Sequence, residues 1–448
     1  MKKLIETIKN IWNIEDLRNR ILMTLGILAI YRLGCFVVIP GVDPAQLSAL
    51  QDQTSDGLLG LLNMFTGGAF SQASIFALGI MPYISASIVI QLLGMAIPYF
   101  QKLQKEGESG RRKINNITRW LTIVITGGQA PGYILNLTAT LPDSAFLLGT
   151  GWFFTVSSII ILVTGTMFVM WLGEKITDRG IGNGISLLIM IGIIAGLPQS
   201  LMQEFVTALG STGGGLVMFM VEMLALLVVI MVTILLVQGT RRIPVQYAKR
   251  IVGNKQYGGV RQFIPLKVNA AGVMPIIFAQ AIMFVPVTLM QFAPADDGMF
   301  AWLKNELQNF GGLTYNLLFF VMIVLFTYFY TAMTVNPNQM ADDMKKNGGF
   351  IPGIKPGRAT ADYLDTVMSR ITLPGSIFLG LVAILPAFAM AAKVNVQFAQ
   401  FYGGTSLLIM VGVVLDTLQQ IESHLLMRHY DGLMDSGRIK GKSSGNMM

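Results

Sequence analysis

The sequence predicts an all-α polytopic membrane protein with ten transmembrane helices. Of its 448 residues, 53% are hydrophobic and only 12% are charged, about half the charged fraction that is typical of a soluble domain. Ten windows are apolar over about 20 residues, the length that a helix needs to cross the roughly 30 Å hydrocarbon core. These windows are 21–39, 75–97, 117–137, 153–172, 184–201, 216–238, 270–292, 315–335, 371–391 and 405–421.

The distribution of basic residues supports this number of spans. Sorted by loop between ten spans, 29 of the 32 lysines and arginines fall on one side of the membrane. By the positive-inside rule this side is cytoplasmic, so we expect both termini in the cytoplasm. The net charge of +8 is therefore explained first by membrane topology and only secondly by an acidic or nucleic-acid partner.

The segment 58–70 is apolar but is not long enough to be an eleventh span. As a helix it would be at most about 20 Å long. Irregular backbone at membrane depth is tolerated only where protein shields it or where it lines a watery cavity. We therefore expect a re-entrant segment in a funnel that opens to the outside. The alternative is a helix that lies flat on the outer surface.

Ten spans divide into two groups of five, which predicts an N-terminal half at 1–205 and a C-terminal half at 206–448. If the halves are related, an odd number of spans in each forces opposite orientations, and the pathway then lies between the halves. The sequence shows no clear internal identity. The inverted arrangement therefore depends on the number of spans alone.

The spans contain almost no ionisable residues, although ion-coupled transporters need them at mid-membrane. Arg32 is expected to snorkel to the outer interface, and Glu222 and Asp416 lie near helix ends, so structural roles are predicted for all three. A secondary transporter of a small solute stays open as the alternative function, because inverted repeats and a re-entrant helix suit that class too.

Catalytic and metal chemistry are not supported by the residues present. Cys35 is the single cysteine, and His424 and His429 are the two histidines, both at or beyond the end of the last span. No thiolate site, histidine-rich metal site or intramembrane catalytic base follows from this set. The sequence thus predicts a passive conduit, not an enzyme, with no metal and no cofactor, whose energy source is another protein.

Several motifs resemble those of the SecY family of protein-conducting channels, and they occur in family order from the first span to the last. They are IPGV (39–42), NMFTGGA (63–69), ALGIMPYISASI (77–88), KEGESGRRK (105–113), WLGEKITDRGIGNGIS (171–186), LKVNAAGV (266–273), FIPGIKPG (350–357) and GGTSLLI (403–409). The bacterial branch fits best. The resemblance implies two inverted five-helix halves around a central hourglass pore with a short re-entrant plug helix.

The resemblance also implies a ring of six apolar side chains at the waist of the pore. All six matching positions are isoleucine here: Ile80, Ile84, Ile185, Ile189, Ile277 and Ile409. Branched aliphatic side chains offer ions no ligand, and a narrow ring of them excludes water. Without the resemblance, each of these isoleucines would be interpreted as ordinary helix packing.

Two further parts of the channel follow from the resemblance. The plug matches 58–70, with Leu58, Leu61, Leu62, Met64, Phe65, Gly67, Gly68 and Phe70. A lateral gate lies in the family between helices two and three on one side and seven and eight on the other. Its polar positions match Ser85, Gln129 and Asn269. Hydrogen bonds across such a seam contribute about 0.6–2 kcal/mol each, which an incoming signal sequence could compete away.

The loops at about 239–269 and 336–370 and the tail complete the resemblance. In the family these two loops dock the SecA motor ATPase and the ribosome, including ribosomal RNA. The docking residues implied here are Arg241, Arg242, Lys249, Arg250, Lys255, Arg261, Lys345, Lys346, Lys355 and Arg358. Lys355 replaces an arginine that is usual in the family, so it keeps the charge but loses a bidentate geometry.

The implied role is the central subunit of a translocation channel in the bacterial plasma (inner) membrane. It would pass unfolded secretory polypeptides and release transmembrane segments laterally into lipid. Its expected partners are the SecE and SecG subunits, SecA, the ribosome, signal sequences, nascent polypeptides and membrane lipid.

Overall fold

The computed structural model describes residues 12, 14–54, 57–147, 149–210, 215–247, 250–252, 255–257, 261–290, 311–392 and 394–435. In chain order the helices are α1 (Glu15–Gly34), α2 (Ser48–Gln53), α3 (Gly57–Phe65), α4 (Met81–Ala96), α5 (Pro98–Lys105), α6 (Glu108–Thr140), α7 (Trp152–Arg179), α8 (Gly184–Gly210), α9 (Gly215–Gln238), α10 (Met274–Met290), α11 (Leu313–Thr334), α12 (Pro337–Lys346), α13 (Arg358–Ala391), α14 (Val396–Ala399) and α15 (Gly404–Asp435).

Each of the ten predicted windows contains a helix: α1, α4, α6, α7, α8, α9, α10, α11, α13 and α15. Among the described residues, six of them satisfy the length and composition of a membrane span: α7, α8, α9, α11, α13 and α15. A seventh is added if α4 and α5, which meet at an angle of 101°, form one broken span. The other three fall short because α1 carries charged residues, α6 contains many polar residues, and α10 has 17 residues.

Several helices continue beyond their apolar windows on the predicted cytoplasmic side. α13 begins at Arg358, well before the window at 371–391, and α15 continues to Asp435. Polar residues such as arginine, lysine and glutamate are good helix formers, so a helix can continue past the apolar window, and hydropathy marks the membrane and not the end of the helix. α1 differs, because it ends at Gly34 although its window runs to 39.

The chain after α1 folds back toward the segment that precedes α4. The Ile39 N–H donates to the Ala73 carbonyl at 2.8 Å, and Val38 and Ser74 form an isolated antiparallel bridge. This pairing explains why the apolar residues after Gly34 are not helical: their backbone groups are satisfied by another segment.

The main core joins helices from both predicted halves. Buried residues of α1, α4, α7 and α8 form one continuous cluster with residues of α10, α11, α13 and α15. α8 has a central position, since it packs against α7, α9, α15 and the short helix α3. α6 packs against α4 and α7, and α11 packs against α10 and α13.

The start of α8 is hydrogen-bonded to helices on both sides. The Ile181 N–H donates to Thr24 Oγ1 of α1 at 3.1 Å, and the Gly182 N–H donates to Gln420 Oε1 of α15 at 2.8 Å. We call these two contacts the α8 joint. They connect a helix of the predicted N-terminal half with the last helix of the C-terminal half.

The structure also contains short strands, on the predicted cytoplasmic side, which the all-α prediction did not include. They are β1 (Thr240–Tyr247), β2 (Arg250–Val252), β3 (Lys255–Tyr257), β4 (Arg261–Lys267) and β5 (Gly349–Phe350). β1 is the central strand of a three-stranded sheet in which it pairs antiparallel with β4 and with β5. β2 and β3 form a separate antiparallel pair.

Candidate functional site

Four of the predicted ring isoleucines meet at one point between four helices. Ile84 of α4, Ile189 of α8, Ile277 of α10 and Ile409 of α15 line a cavity of about 10 Å³. The remaining two belong to the same apolar cluster: Ile80, just before α4, is buried, and Ile185, in the first turn of α8, is partly buried. Residues that are more than 300 positions apart in the sequence thus lie around one cavity.

The cavity that these isoleucines line is small. Its volume is about that of one water molecule, and its lining is completed by Phe65, Met81, Gln280 and Thr405. Aliphatic and aromatic walls offer an ion no replacement for its hydration shell.

The segment 58–70 packs inside the helix assembly. Its helical part, α3, lies against α8 and ends at Phe65, whose ring contributes to the cavity between the isoleucines. Leu62, Phe65 and Phe70 are buried, while Met64, Gly67 and Gly68 are partly exposed. For Leu58 and Leu61 only the backbone is described. This placement agrees with a re-entrant segment and not with a helix that lies flat on the outer surface.

A turn with left-handed backbone follows α3. Gly67 has φ +67° and Gly68 has φ +88°, a region that glycine enters without steric cost. A Cβ on Gly67 would lie 2.7 Å from Arg32 Nη1 and 3.0 Å from the Cα of Gly192. The turn is therefore held closely between α1 on one side and α8 on the other.

Polar groups of α1 and α6 bind the backbone of this segment. Arg32 Nη1 donates to the Gly67 carbonyl at 2.7 Å, and the Tyr31 hydroxyl donates to the Thr66 carbonyl at 3.3 Å. The Tyr133 hydroxyl donates to the Phe70 carbonyl at 3.0 Å. The guanidinium of Arg32 thus has a partner within the protein, in agreement with the structural role predicted for this residue.

The two helix pairs named in the lateral-gate prediction pack weakly on each other. α4 and α6 pack closely on each other, and so do α10 and α11, but these two pairs make little contact with one another in the described part of the chain. We call this boundary the seam. One wall belongs to the predicted N-terminal half and the other to the predicted C-terminal half.

The polar residues predicted at the seam are not joined to one another by the hydrogen bonds of the structure. Ser85 donates to the Met81 carbonyl of its own helix at 3.2 Å. Asn269 is buried, and its Oδ1 has no hydrogen-bond partner among the described residues. Gln129 is partly exposed on α6. Ser85 therefore adds nothing to adhesion across the seam.

The two basic loops are brought together by the three-stranded sheet. Gln246 of β1 pairs with Phe350 of β5, and Tyr247 pairs with Gly349. Arg241 and Arg242 are exposed on β1, Lys345 and Lys346 are exposed at the end of α12, and Lys355 and Arg358 are exposed around the start of α13. Arg250, Lys255 and Arg261 lie on β2, β3 and β4 and are described by backbone only, and Lys249 lies outside the described residues.

The sequence did not reveal this sheet. Each strand of the pair β1 and β4 contains a proline: Pro244 pairs with Phe263, and Pro265 pairs with Arg242. Proline is usually depleted in strands. The pairing with β5 joins positions about 100 residues apart, so no local signal could have indicated it.

Comparisons with known proteins agree with this architecture. The SecY family model matches residues 74–418. The chain is 45% identical over 428 residues to the protein translocase subunit SecY of Streptomyces scabiei, which covers 94% of this chain and 97% of that protein. It is 45% identical to the SecY of Haemophilus influenzae, with 95% and 96% covered. It is 39% identical to that of Chlamydia trachomatis, with 97% and 99% covered.

Solved structures share the fold at lower identity. The solved structure of a protein conducting channel superimposes with a TM-score of 0.58 at 20% identity, covering 91% of this chain and 92% of the other. Sec61 in the canine ribosome-channel complex from the endoplasmic reticulum gives a TM-score of 0.54 at 19% identity, again with 91% and 92% covered. With a family match over most of its length and relatives at 45% identity, the chain belongs to the SecY family.

Proposed function

We propose that this chain is the central subunit of a protein translocation channel. One observation carries the proposal: isoleucines from four helices of both halves converge on a water-sized cavity next to the re-entrant segment. A barrier made only of flexible aliphatic side chains can part around an extended polypeptide of any sequence and still offer ions no binding site. It suits a substrate that is chemically variable and a membrane that must stay sealed.

In this proposal the ring residues are Ile80, Ile84, Ile185, Ile189, Ile277 and Ile409, and 58–70 is the plug. The halves 1–205 and 206–448 are the two inverted walls of the pathway. Secretory polypeptides leave through the ring after the plug moves, and transmembrane segments leave through the seam. The weak packing between the α4 and α6 pair and the α10 and α11 pair supports this second exit.

The proposed setting is the bacterial plasma membrane, with both termini in the cytoplasm. SecE and SecG would be the companion subunits, and SecA or a translating ribosome would supply the drive. The exposed arginines and lysines of the sheet and its neighbouring turns support a docking role, since contact with ribosomal RNA depends on cationic side chains at phosphates.

A trapped substrate tests the pathway. A photo-crosslinking residue replaces Ile84 or Ile277, and a secretory precursor is stalled by a folded domain at its C-terminus. The expected result is a crosslink from both positions to the mature part of the precursor. Val89, an exposed residue of α4, carries the probe in the matched control and should crosslink to lipid instead.

The same measurement separates a channel from a transporter of small solutes. A solute carrier has no path for a polypeptide, so both ring positions would then remain without a precursor crosslink. That result in a chain which still inserts and folds would contradict the proposed function.

The docking surface has its own test. The double substitution Arg241→Ala and Arg242→Ala should weaken ribosome binding, with a reduced slope of log affinity against log salt concentration. Arg112→Ala is the control, because Arg112 is also exposed on the predicted cytoplasmic side but is paired with Glu108. An equal loss in the control would indicate general charge attraction instead of a docking site.

A further inference from the structure

Three contacts connect the C-terminal end of α1 to the turn that follows α3. Tyr31 and Arg32 donate hydrogen bonds to the carbonyls of Thr66 and Gly67. One helical turn further along, Cys35 Sγ lies 3.8 Å from the same Thr66 carbonyl. Three side chains, at positions i, i+1 and i+4, thus contact two adjacent carbonyl groups, those of Thr66 and Gly67.

The two carbonyls differ in their backbone partners: the Thr66 carbonyl also accepts from the Ala69 N–H at 3.4 Å, whereas the Gly67 carbonyl accepts no backbone hydrogen bond among the described residues. α3 ends at Phe65, and the backbone reverses through the positive φ of Gly67 and Gly68. An unsatisfied carbonyl at membrane depth costs several kcal/mol. The contact from Arg32 Nη1 at 2.7 Å has the short length of a charge-assisted hydrogen bond.

The guanidinium of Arg32 is itself held in place. It lies 5.5 Å from the centroid of the Phe36 ring, within range of a cation–π contact. On the opposite side of the turn, a Cβ on Gly192 of α8 would lie 3.0 Å from the Phe65 carbonyl and 3.2 Å from the Gly67 nitrogen. The turn therefore fits closely between a cationic donor and a helix surface where a side chain larger than that of glycine would require the backbone to shift.

We propose that Arg32, assisted by Tyr31, is a latch that holds the plug in its closed position. Arg32 is a positioning residue: it contacts the plug and does not line the waist cavity. Opening requires the Gly67 carbonyl to exchange this donor for water or for the polypeptide. The inference rests on the proposed function only in naming 58–70 a plug, since the contacts themselves do not depend on what is transported.

Cys35 supplies a native reporter for the latch. It is the single cysteine of the chain, it is 2% exposed, and it lies against the Thr66 carbonyl. Departure of the turn exposes this thiol. The experiment measures the rate at which a small water-soluble maleimide labels Cys35 in the full-length chain reconstituted in liposomes.

Arg32→Gln should raise the labelling rate by about tenfold, as expected for the loss of a charge-assisted hydrogen bond. Arg32→Lys keeps the charge but not the planar fork and should give a smaller increase. Tyr31→Phe removes one hydroxyl from a buried site with little change of shape and should raise the rate by about threefold. Arg20→Gln is the matched control, because Arg20 lies on the same helix and bonds Asp16 instead of the plug.

Labelling of Arg32→Gln and Tyr31→Phe at the parental rate would overturn the latch. An equal increase in Arg20→Gln would overturn it as well, since it would indicate that any lost arginine loosens α1. The precursor crosslink at Ile84 and Ile277 is a separate readout, so failure of the latch and failure of the proposed function give different results.

Discussion

The plug turn, which is the turn at Gly67 and Gly68 after α3, and the seam are both boundaries of the proposed pathway. Different interactions close them. At the plug turn, Arg32 and Tyr31 donate hydrogen bonds to backbone carbonyls. Gly192 allows the backbone of α8 to approach the backbone of the turn to van der Waals contact. At the seam, the two walls touch little, Ser85 bonds its own helix, and the buried Asn269 Oδ1 has no partner among the described residues.

The difference indicates what each boundary must recognise. Directional hydrogen bonds and a close glycine contact specify one position, which suits a segment that must return to the same place after each opening. Weak apolar contact specifies no position, and it suits a boundary that accepts helices of many sequences and adjoins lipid. The following predictions test this contrast, from the largest expected effect to the smallest.

The largest effect is expected where both boundaries meet, at the ring. Simultaneous replacement of Ile84, Ile189, Ile277 and Ile409 by serine should raise the resting ion conductance in planar bilayers by about tenfold or more, because hydroxyls wet the constriction. The control replaces the same four residues by valine, which keeps the branched aliphatic surface. If the two quadruple variants conduct equally, the ring is not the barrier.

Gly192→Ala should disturb the plug turn. The added methyl would press on backbone atoms of Phe65 and Gly67 at 3.0–3.2 Å, and overpacking of this kind costs about 1–3 kcal/mol. We expect a several-fold faster labelling of Cys35 and a higher resting conductance.

Gly196→Ala is the control for that change, one turn further along α8. A Cβ there would meet only the Phe401 ring, at 3.9 Å, so the substitution should leave labelling unchanged and stabilise the helix by up to about 1 kcal/mol. Equal labelling of Cys35 in both variants would show that the plug turn does not depend on a close contact with α8.

At the seam, Asn269→Leu should be neutral or stabilising. The substitution is close to isosteric and removes a buried oxygen that lacks a hydrogen bond, which costs about 1–3 kcal/mol when unsatisfied. The expected result is an unchanged or raised Tm in detergent and a slower lateral release of a model transmembrane segment. A marked fall in Tm would instead indicate that the amide makes essential bonds in the folded protein.

The smallest effect is expected for Ser85→Ala. Its hydroxyl bonds the carbonyl four residues earlier, so its loss should change the free energy of unfolding by less than about 0.5 kcal/mol. The lateral release measured for Asn269→Leu should be unaffected here. A strong effect on release would show that Ser85 acts across the seam during opening.

Most of the fold could be predicted from the sequence because membrane crossing is a matter of length and composition. All ten windows contain helices, and the segment 58–70 was recognised as too short to span. The convergence of Ile84, Ile189, Ile277 and Ile409 came from the resemblance, since no isoleucine differs locally from an ordinary packing residue.

The parts that could not be predicted depend on distant partners. Arg32 looks like a residue near a helix end until Gly67, 35 positions away, is seen to lack a donor. β5 has only two residues, and it forms because its backbone pairs with one edge of β1. The unequal packing on the two sides of the seam is a property of four helices together and has no signature in any one of them.

The α8 joint has a mechanical consequence. Thr24 and Gln420 fix the start of α8 to a helix of each half, whereas the seam has no comparable tie among the described residues. Relative movement of the halves would then be a rotation about an axis near α8 and α15. Displacement grows with distance from such an axis, so a small angle would separate the seam walls, and with them Ile84 of α4 and Ile277 of α10, while Ile189 of α8 and Ile409 of α15 would move little.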